Sequence, residues 1–382
     1  MTEESRSNSS SIVHEIPYLR LFPWLRLFST PAAAAGPGRL ILATIGIALM
    51  LAGWALIERI FPNARPIAPL WIGERVSLQD FDVSSILTQM TEPARLMLAP
   101  FLEFFDRDAK TWDRPRAALA CVWTVVVWSL IGGAIARIAV VRLARGERLG
   151  IRSALRFTVR KASPLIGTPL IPLMAFALLS GAVALFGLLY RIPGGVGPTA
   201  AGLLAFVPLL AGFLLTLILV GLAAGWPLMP TSVAAEDEDG FDAMSRAYAY
   251  VHQRPWHYGF YIVLALAVGA FGLIVVKLFA TLTIDLAAFA LSFGGPSQTV
   301  QGFFHLREPA SQGTAQAIHT AWLVMIEWLV RGWLFSYFWT AASAIYLLLR
   351  RDVDGMPWSK VALEKDRPVP AAKVETAETA EA

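Results

Sequence analysis

The sequence predicts an all-α protein: a polytopic transmembrane helical bundle of six spans with amphipathic surface helices. Composition is the first support. With 56% hydrophobic and 16% charged residues and a mean hydropathy of +0.57, the chain suits a bilayer better than water. Run length is the second, because a hydrocarbon core of about 30 Å needs about 20 apolar residues in a helix, and six runs meet that length. The third is the lack of the period-two alternation of a membrane barrel. Backbone groups in lipid must be bonded internally, which leaves helices.

Met1 to Ser11 is polar, with no basic leader, short apolar core or small-residue cleavage site. It is therefore not read as a signal peptide, and the first span is expected to be kept. Pro17 to Phe28 interleaves Tyr18, Leu19, Leu21, Phe22, Trp24, Leu25 and Leu27 with Arg20 and Arg26, the mix of a helix in the headgroup layer. Residues 1–39 thus read as an N-terminal segment with an interfacial helix, and 40–351 as the membrane domain. Its spans are expected at Leu40 to Ile57, Ala117 to Ala136, Leu165 to Tyr190, Thr199 to Leu228, His257 to Ala280 and Val330 to Leu349. Between the first two, in region 58–116, Ser84 to Phe105 places Ile86, Met90, Met97 and Phe101 at helical spacing, but its continuous apolar part is too short to span. It is expected to lie along the outer interface or cap the bundle, with a re-entrant segment as the alternative. Residues 352–382, rich in Ala, Glu, Lys and Pro from Ser359 onward, read as a disordered tail. The single cysteine, Cys121, falls inside the second span, which leaves no disulfide framework or thiolate metal site.

Orientation follows from the positive-inside bias. Arg137, Arg142, Arg145, Arg148, Arg152, Arg156, Arg160 and Lys161 between spans two and three face only Glu147, which places that loop in the cytoplasm. Arg20, Arg26 and Arg39 before the first span and Arg350 and Arg351 after the last then fall on the same side. Both termini are expected in the cytoplasm, with region 58–116 outside the inner membrane.

Two polar helices, 150–163 and 240–254, are expected on that cytoplasmic face. Gly150 is followed six residues later by Arg156 and closed by Pro164; Gly240 is followed six residues later by Arg246 and closed by Pro255. An internal repeat would give this pattern, and so would the common need of such a helix for a start signal and a proline before the next span. In the first, Arg145, Arg148, Arg152, Arg156 and Arg160 recur at three- and four-residue steps, as a stripe lying on anionic headgroups would. A helix that begins only after Gly150 keeps three of them, and topology then accounts for the charge. In the second, Glu236, Asp237, Glu238 and Asp239 precede the helix where carboxylates favour its dipole, with Asp237 or Asp239 as cap. Phe241, Met244, Tyr248 and Val251 would form its apolar face, with Asp242, Ser245, Arg246 and Gln253 opposite. The acidic head either clasps the basic helix or is a solvated charge run. It lacks the ligand spacing of a calcium loop.

Ionisable residues at membrane depth are the other candidates. Lys277, Glu327 and Arg331 fall at one outer level of spans five and six, as a paired cluster that staples the helices or lines a vestibule. Gly132, Gly133, Gly221 and Gly225 permit close helix approach, and Pro169, Pro172 and Pro208 can kink spans three and four. No phosphate-binding loop, zinc-protease helix, nucleophile elbow or dinucleotide fingerprint occurs. No cofactor, metal or nucleic-acid partner is expected.

The segment Gly240 to Trp256, through Ala243, Ser245, Arg246 and Tyr248 and the surrounding helix pattern, resembles a broad group of bacterial six-helix membrane proteins. That group is similar to the membrane domain preceding some glycerophosphoryl diester phosphodiesterases. The resemblance covers about Ala117 to Arg351 and implies a helical membrane module without its own active site. The expected role is to organise lipid, in particular anionic lipid, or membrane-protein partners. Arg148, Arg152, Arg156, Arg160, Asp242 and Arg246 are the candidate contacts, and a transporter or permease component is the alternative.

Overall fold

The computed structural model describes residues 18–67, 78, 80–296, 300 and 314–362. Among them there is no strand, and six helices are long and apolar enough to cross a membrane. The chain enters through α1 (Tyr18–Leu21), a 3-10 turn (Pro23–Ser29) and α2 (Thr30–Ala34). The first span is α3 (Pro37–Ile60), followed by α4 (Val83–Phe104) and the second span, α5 (Asp113–Arg145). Then come α6 (Ile151–Arg160), the third span α7 (Ala162–Phe186) with its 3-10 continuation to Arg191, and the short α8 (Val196–Leu203). The fourth span is α9 (Phe206–Gly225). After α10 (Met229–Glu236) and α11 (Gly240–Gln253), the chain finishes with the long spans α12 (Pro255–Leu291) and α13 (Thr314–Asp354).

Span four departs from its reading as one helix from Thr199 to Leu228 at both ends: Thr199 to Leu203 belong to α8, and α9 stops at Gly225. Pro227 and Pro230 have no N–H to continue the ladder, and the amide of Leu228 turns to Gly225. The carbonyl of Ala224 accepts instead from the Tyr258 hydroxyl at 2.6 Å. Helix α10 leaves at this break and is buried from Met229 to Ala235.

Burial separates the spans into a core and a rim. The apolar window of α13 is 94% buried and that of α5 67%, whereas those of α7 and α9 are 6% buried each. Helices α5 and α13 therefore form the centre, with α3 packed against both, and the α7–α9 hairpin presents its side chains to lipid. The centre is held by aromatic stacking fitted to glycines. Trp128 stacks on Phe335 with centroids 5.0 Å apart and on Trp339 at 6.2 Å. Gly132 admits Trp339, where a Cβ would lie 2.6 Å from the indole, and Gly133 faces Leu165 of α7. Some buried polar groups bond across helices: Trp54 Nε1 donates to Thr124 Oγ1 at 3.0 Å and Ser336 Oγ to the Ala34 carbonyl at 2.7 Å.

Helix α4 packs against α5, α12 and α13. Asp82 caps it, accepting from the Ser85 amide at 2.9 Å, and Ile86, Met90, Leu96 and Met97 are buried against α5, α12 and α13. Gly269 of α12 gives Met90 its seat.

The C-terminal region differs from the tail expected from 352 onward. After Asp354 the chain turns at Gly355 and packs back on the bundle. Trp358 Nε1 donates to the Leu143 carbonyl at 2.7 Å and the Ala362 amide to the Ala235 carbonyl at 2.9 Å. The Arg26 guanidinium lies 4.5 Å from the Trp358 ring centroid, so both ends of the described chain meet here. Composition could not show this, because Trp358 and Val361 are the only buried side chains among the described residues after Asp354. Residues 1–17 and 363–382, with the rest of those two expectations, lie outside the described residues.

Overpacking the central seam should unseat Trp339. Gly132→Val is expected to cost about 1–3 kcal/mol, read as a lower unfolding temperature in detergent. Gly167→Ala, where a Cβ meets nothing within 4 Å, should stay within about 0.5 kcal/mol of the parent.

Candidate functional site

The polar end of the bundle is built from α6, α10, α11 and the last turn of α13. Both surface helices begin where the glycines place them, α6 after Gly150 and α11 at Gly240, and each is followed by a one-residue break before its span. They differ in length, 10 residues against 14. Gly240 lets α11 approach the start of α7, since a Cβ there would sit 3.1 Å from the Pro164 carbonyl oxygen.

Each of the four consecutive acids has a separate task. Glu236 pairs with Arg350, whose side chain is 1% exposed. Asp237 ends α10 in the left-handed region at φ 61, which Asp tolerates better than most residues. Lys161 holds it there, with Nζ 2.9 Å from Oδ1 and 2.7 Å from the backbone carbonyl. Glu238 pairs with Arg246, which also reaches Asp354 at 3.4 Å. Asp239 caps α11, accepting from the amides of Phe241 and Asp242 at 3.0 Å each. The run is thus an ionic lattice joining α7, α10, α11 and α13. Its contact with the basic helix is made by Lys161, just past the end of α6. Burial holds the Glu238 carboxyl above the usual carboxylate range, outweighing the pull of Arg246.

The inner face of α11 differs from the expected one. Ala243, Ala247 and Tyr250 are buried, Met244, Tyr248 and Val251 are half-buried, and Phe241 is 61% exposed. Gly221 and Gly225 of α9 cause the rotation. A Cβ on Gly221 would lie 2.1 Å from the Tyr248 ring, so these glycines seat α11. The Tyr248 hydroxyl donates to the Ile218 carbonyl at 3.0 Å, and burial pushes its pKa up to about 12. Tyr250 donates to Asp354.

On α6, Ala154, Phe157 and Thr158 are buried while Arg152, Arg156 and Arg160 are exposed on the opposite face. Because the helix starts at Ile151, Arg148 lies in the preceding loop, also exposed, and the helical stripe has three arginines. Asp242 is exposed, whereas Arg246 is half-buried inside the lattice. These two candidates therefore separate: Asp242 remains on the surface, and Arg246 ties α11 to α13.

Lys277 and Arg331 find their partners in α4 and the residues just before it. Lys277 is fully buried, donates to the Asp80 carbonyl and lies 5.1 Å from the Phe81 ring centroid. Arg331 meets Glu92 of α4 at 2.8 Å, four residues along the helix from Glu327. The sequence reading missed Glu92. Its signal was an acid four residues before Leu96 on the apolar face of α4. Arg116 is likewise held by Glu103 at 2.8 Å.

The two kinds of acid should respond differently to substitution. Glu236→Ala strands the charge of Arg350 and is expected to cost roughly 3 kcal/mol. Asp237→Gly suits the positive φ and keeps the carbonyl, so it should cost no more than about 1 kcal/mol. Detergent-resistant thermal unfolding separates the two outcomes. Comparison of the chain with family models, curated proteins and solved structures finds no match.

Proposed function

We propose that this is a non-catalytic multi-pass protein of the inner membrane, with both termini cytoplasmic, which gathers anionic lipid through its cytoplasmic surface. The observation that carries the reading is the division of charge at the polar end. The acids at 236–239 work within the fold, pairing with Arg350, Lys161 and Arg246 and capping α11. Arg148, Arg152, Arg156 and Arg160 are exposed. A basic face whose underside is packed on the bundle lies in the headgroup layer without further folding, and each such residue contributes on the order of 1 kcal/mol near an anionic surface. The positive-inside count puts this face in the cytoplasm. A membrane-protein partner with an acidic surface would meet the same arginines. The fixed partners of Lys277 and Arg331 favour stapling of α4 over a transport vestibule. In this reading the chain is a membrane module like the one that precedes the phosphodiesterases.

The test is lipid retention after purification from a mixed membrane. Changing Arg152, Arg156 and Arg160 together to Glu should lower the anionic-to-zwitterionic ratio of retained lipid by roughly tenfold or more, with the unfolding temperature unchanged. An unaltered ratio in the folded variant removes the proposal.

A further inference from the structure

Six cations are buried among the described residues: Arg39, Arg116, Arg137, Lys277, Arg331 and Arg350. Five have partners in the fold, namely Glu103, the Ala234 carbonyl, the Asp80 carbonyl, Glu92 and Glu236 respectively after Arg39. Arg39 has none: it is 6% exposed, and its Nε and Nη1 are buried without a hydrogen-bond partner. A buried charge without a partner is costly. Its position makes matters worse, since it stands in the first turn of α3, at the positive end of the helix dipole, where no side chain caps the amides. Arg39 lines a cavity of about 760 Å³ between the α2–α3 corner and the end of α5, with Arg148 and with Arg142, whose Nη1 donates to the Gly146 carbonyl at 2.7 Å, also in its lining. Glu147 is the sole acid among the lining residues and is exposed. Gly36 lets the guanidinium fold back over the corner: a Cβ there would lie 2.8 Å from Arg39 Nη2.

We infer that this cavity is a phosphate-binding site, in which Arg39 and Arg142 grip the anionic oxygens of a phosphate group at the uncapped start of α3. The planar guanidinium suits a tetrahedral oxyanion, and the helix start adds favourable potential. The phosphate comes from a lipid headgroup or from free phosphate. A headgroup source rests on the lipid reading above and gives the diffuse α6 surface a specific neighbour. The gripping residues differ from those of the α6 stripe.

The test uses the full chain in detergent with two probes, inorganic phosphate and short-chain phosphatidic acid, followed by calorimetric binding and by unfolding temperature. The wild type should bind and be stabilised by phosphatidic acid. Binding of inorganic phosphate as well assigns a free-phosphate site, and binding of the lipid alone assigns a headgroup site. Arg39→Gln should weaken the bound probe by at least about tenfold, the loss expected for one charge-assisted contact. Without any anion it should melt higher than the wild type, because an uncompensated charge has gone. Gly36→Ala keeps the arginine but displaces it, and should weaken binding in the same direction. The triple Glu variant of Arg152, Arg156 and Arg160 should hold the probe within about twofold, so that failure of the α6 surface and failure of this site are read separately. A wild type that binds neither probe, with the cavity holding water only, overturns the inference. So does an Arg39→Gln variant that binds as the wild type does.

Discussion

A charge removed from water must be met by a partner, and the polar end of this protein is assembled around one instance of that requirement. Arg350 lies near the end of α13, the span whose apolar window is the most buried, is itself 1% exposed, and Glu236 answers it. That pair fixes where α10 stops. Asp237 then reverses the chain in a left-handed conformation held by Lys161, Glu238 engages Arg246, and Asp239 starts α11. Four residues thus set the last turn of one helix, the corner and the first turn of the next. The acidic run, seen alone, resembles a solvated patch; within the fold its members face three different helices.

Local features were legible in the sequence, and distant pairings were not. Run length located the six spans to within a few turns, and Gly150, Gly240 and Pro255 marked where the surface helices begin and end, since these signals act within one turn. The break in span four was signalled by Pro227 and Pro230 but hidden by the apolar residues around them. The rotation of α11 depends on Gly221, about thirty residues earlier, which nothing in the periodicity of α11 itself reports. Arg331 and Glu92 are far apart in the chain, so the helical i,i+4 step toward Glu327 was the neighbour that sequence spacing offered. Docking of residues 355–362 rests on buried Trp358 and Val361 and on hydrogen bonds to distant partners, Leu143, Arg145 and Ala235 among them, too little apolar content to register as composition.

Placement of the lattice also explains how so unevenly buried a bundle holds together. Helices α3, α5 and α13 are locked by tryptophans set into glycines, and little there can move without opening a cavity. The α7–α9 hairpin has no comparable seam, because its faces are turned to lipid and lipid gives no hydrophobic drive toward protein. Its attachment is concentrated at the polar end, where Lys161 precedes α7 and binds Asp237, and where Tyr248 and Tyr258 take carbonyls of α9. These contacts are short, directional and partly shielded from water, the conditions under which ionic and hydrogen bonds contribute most. Removing acids from the lattice should therefore loosen the hairpin before it disturbs the central seam. The exposed arginines of α6, one residue upstream of Lys161, would shift with it. The basic surface of α6 and the lipid-facing hairpin are in this sense one mechanical unit, joined to the core through the charges at 236–239.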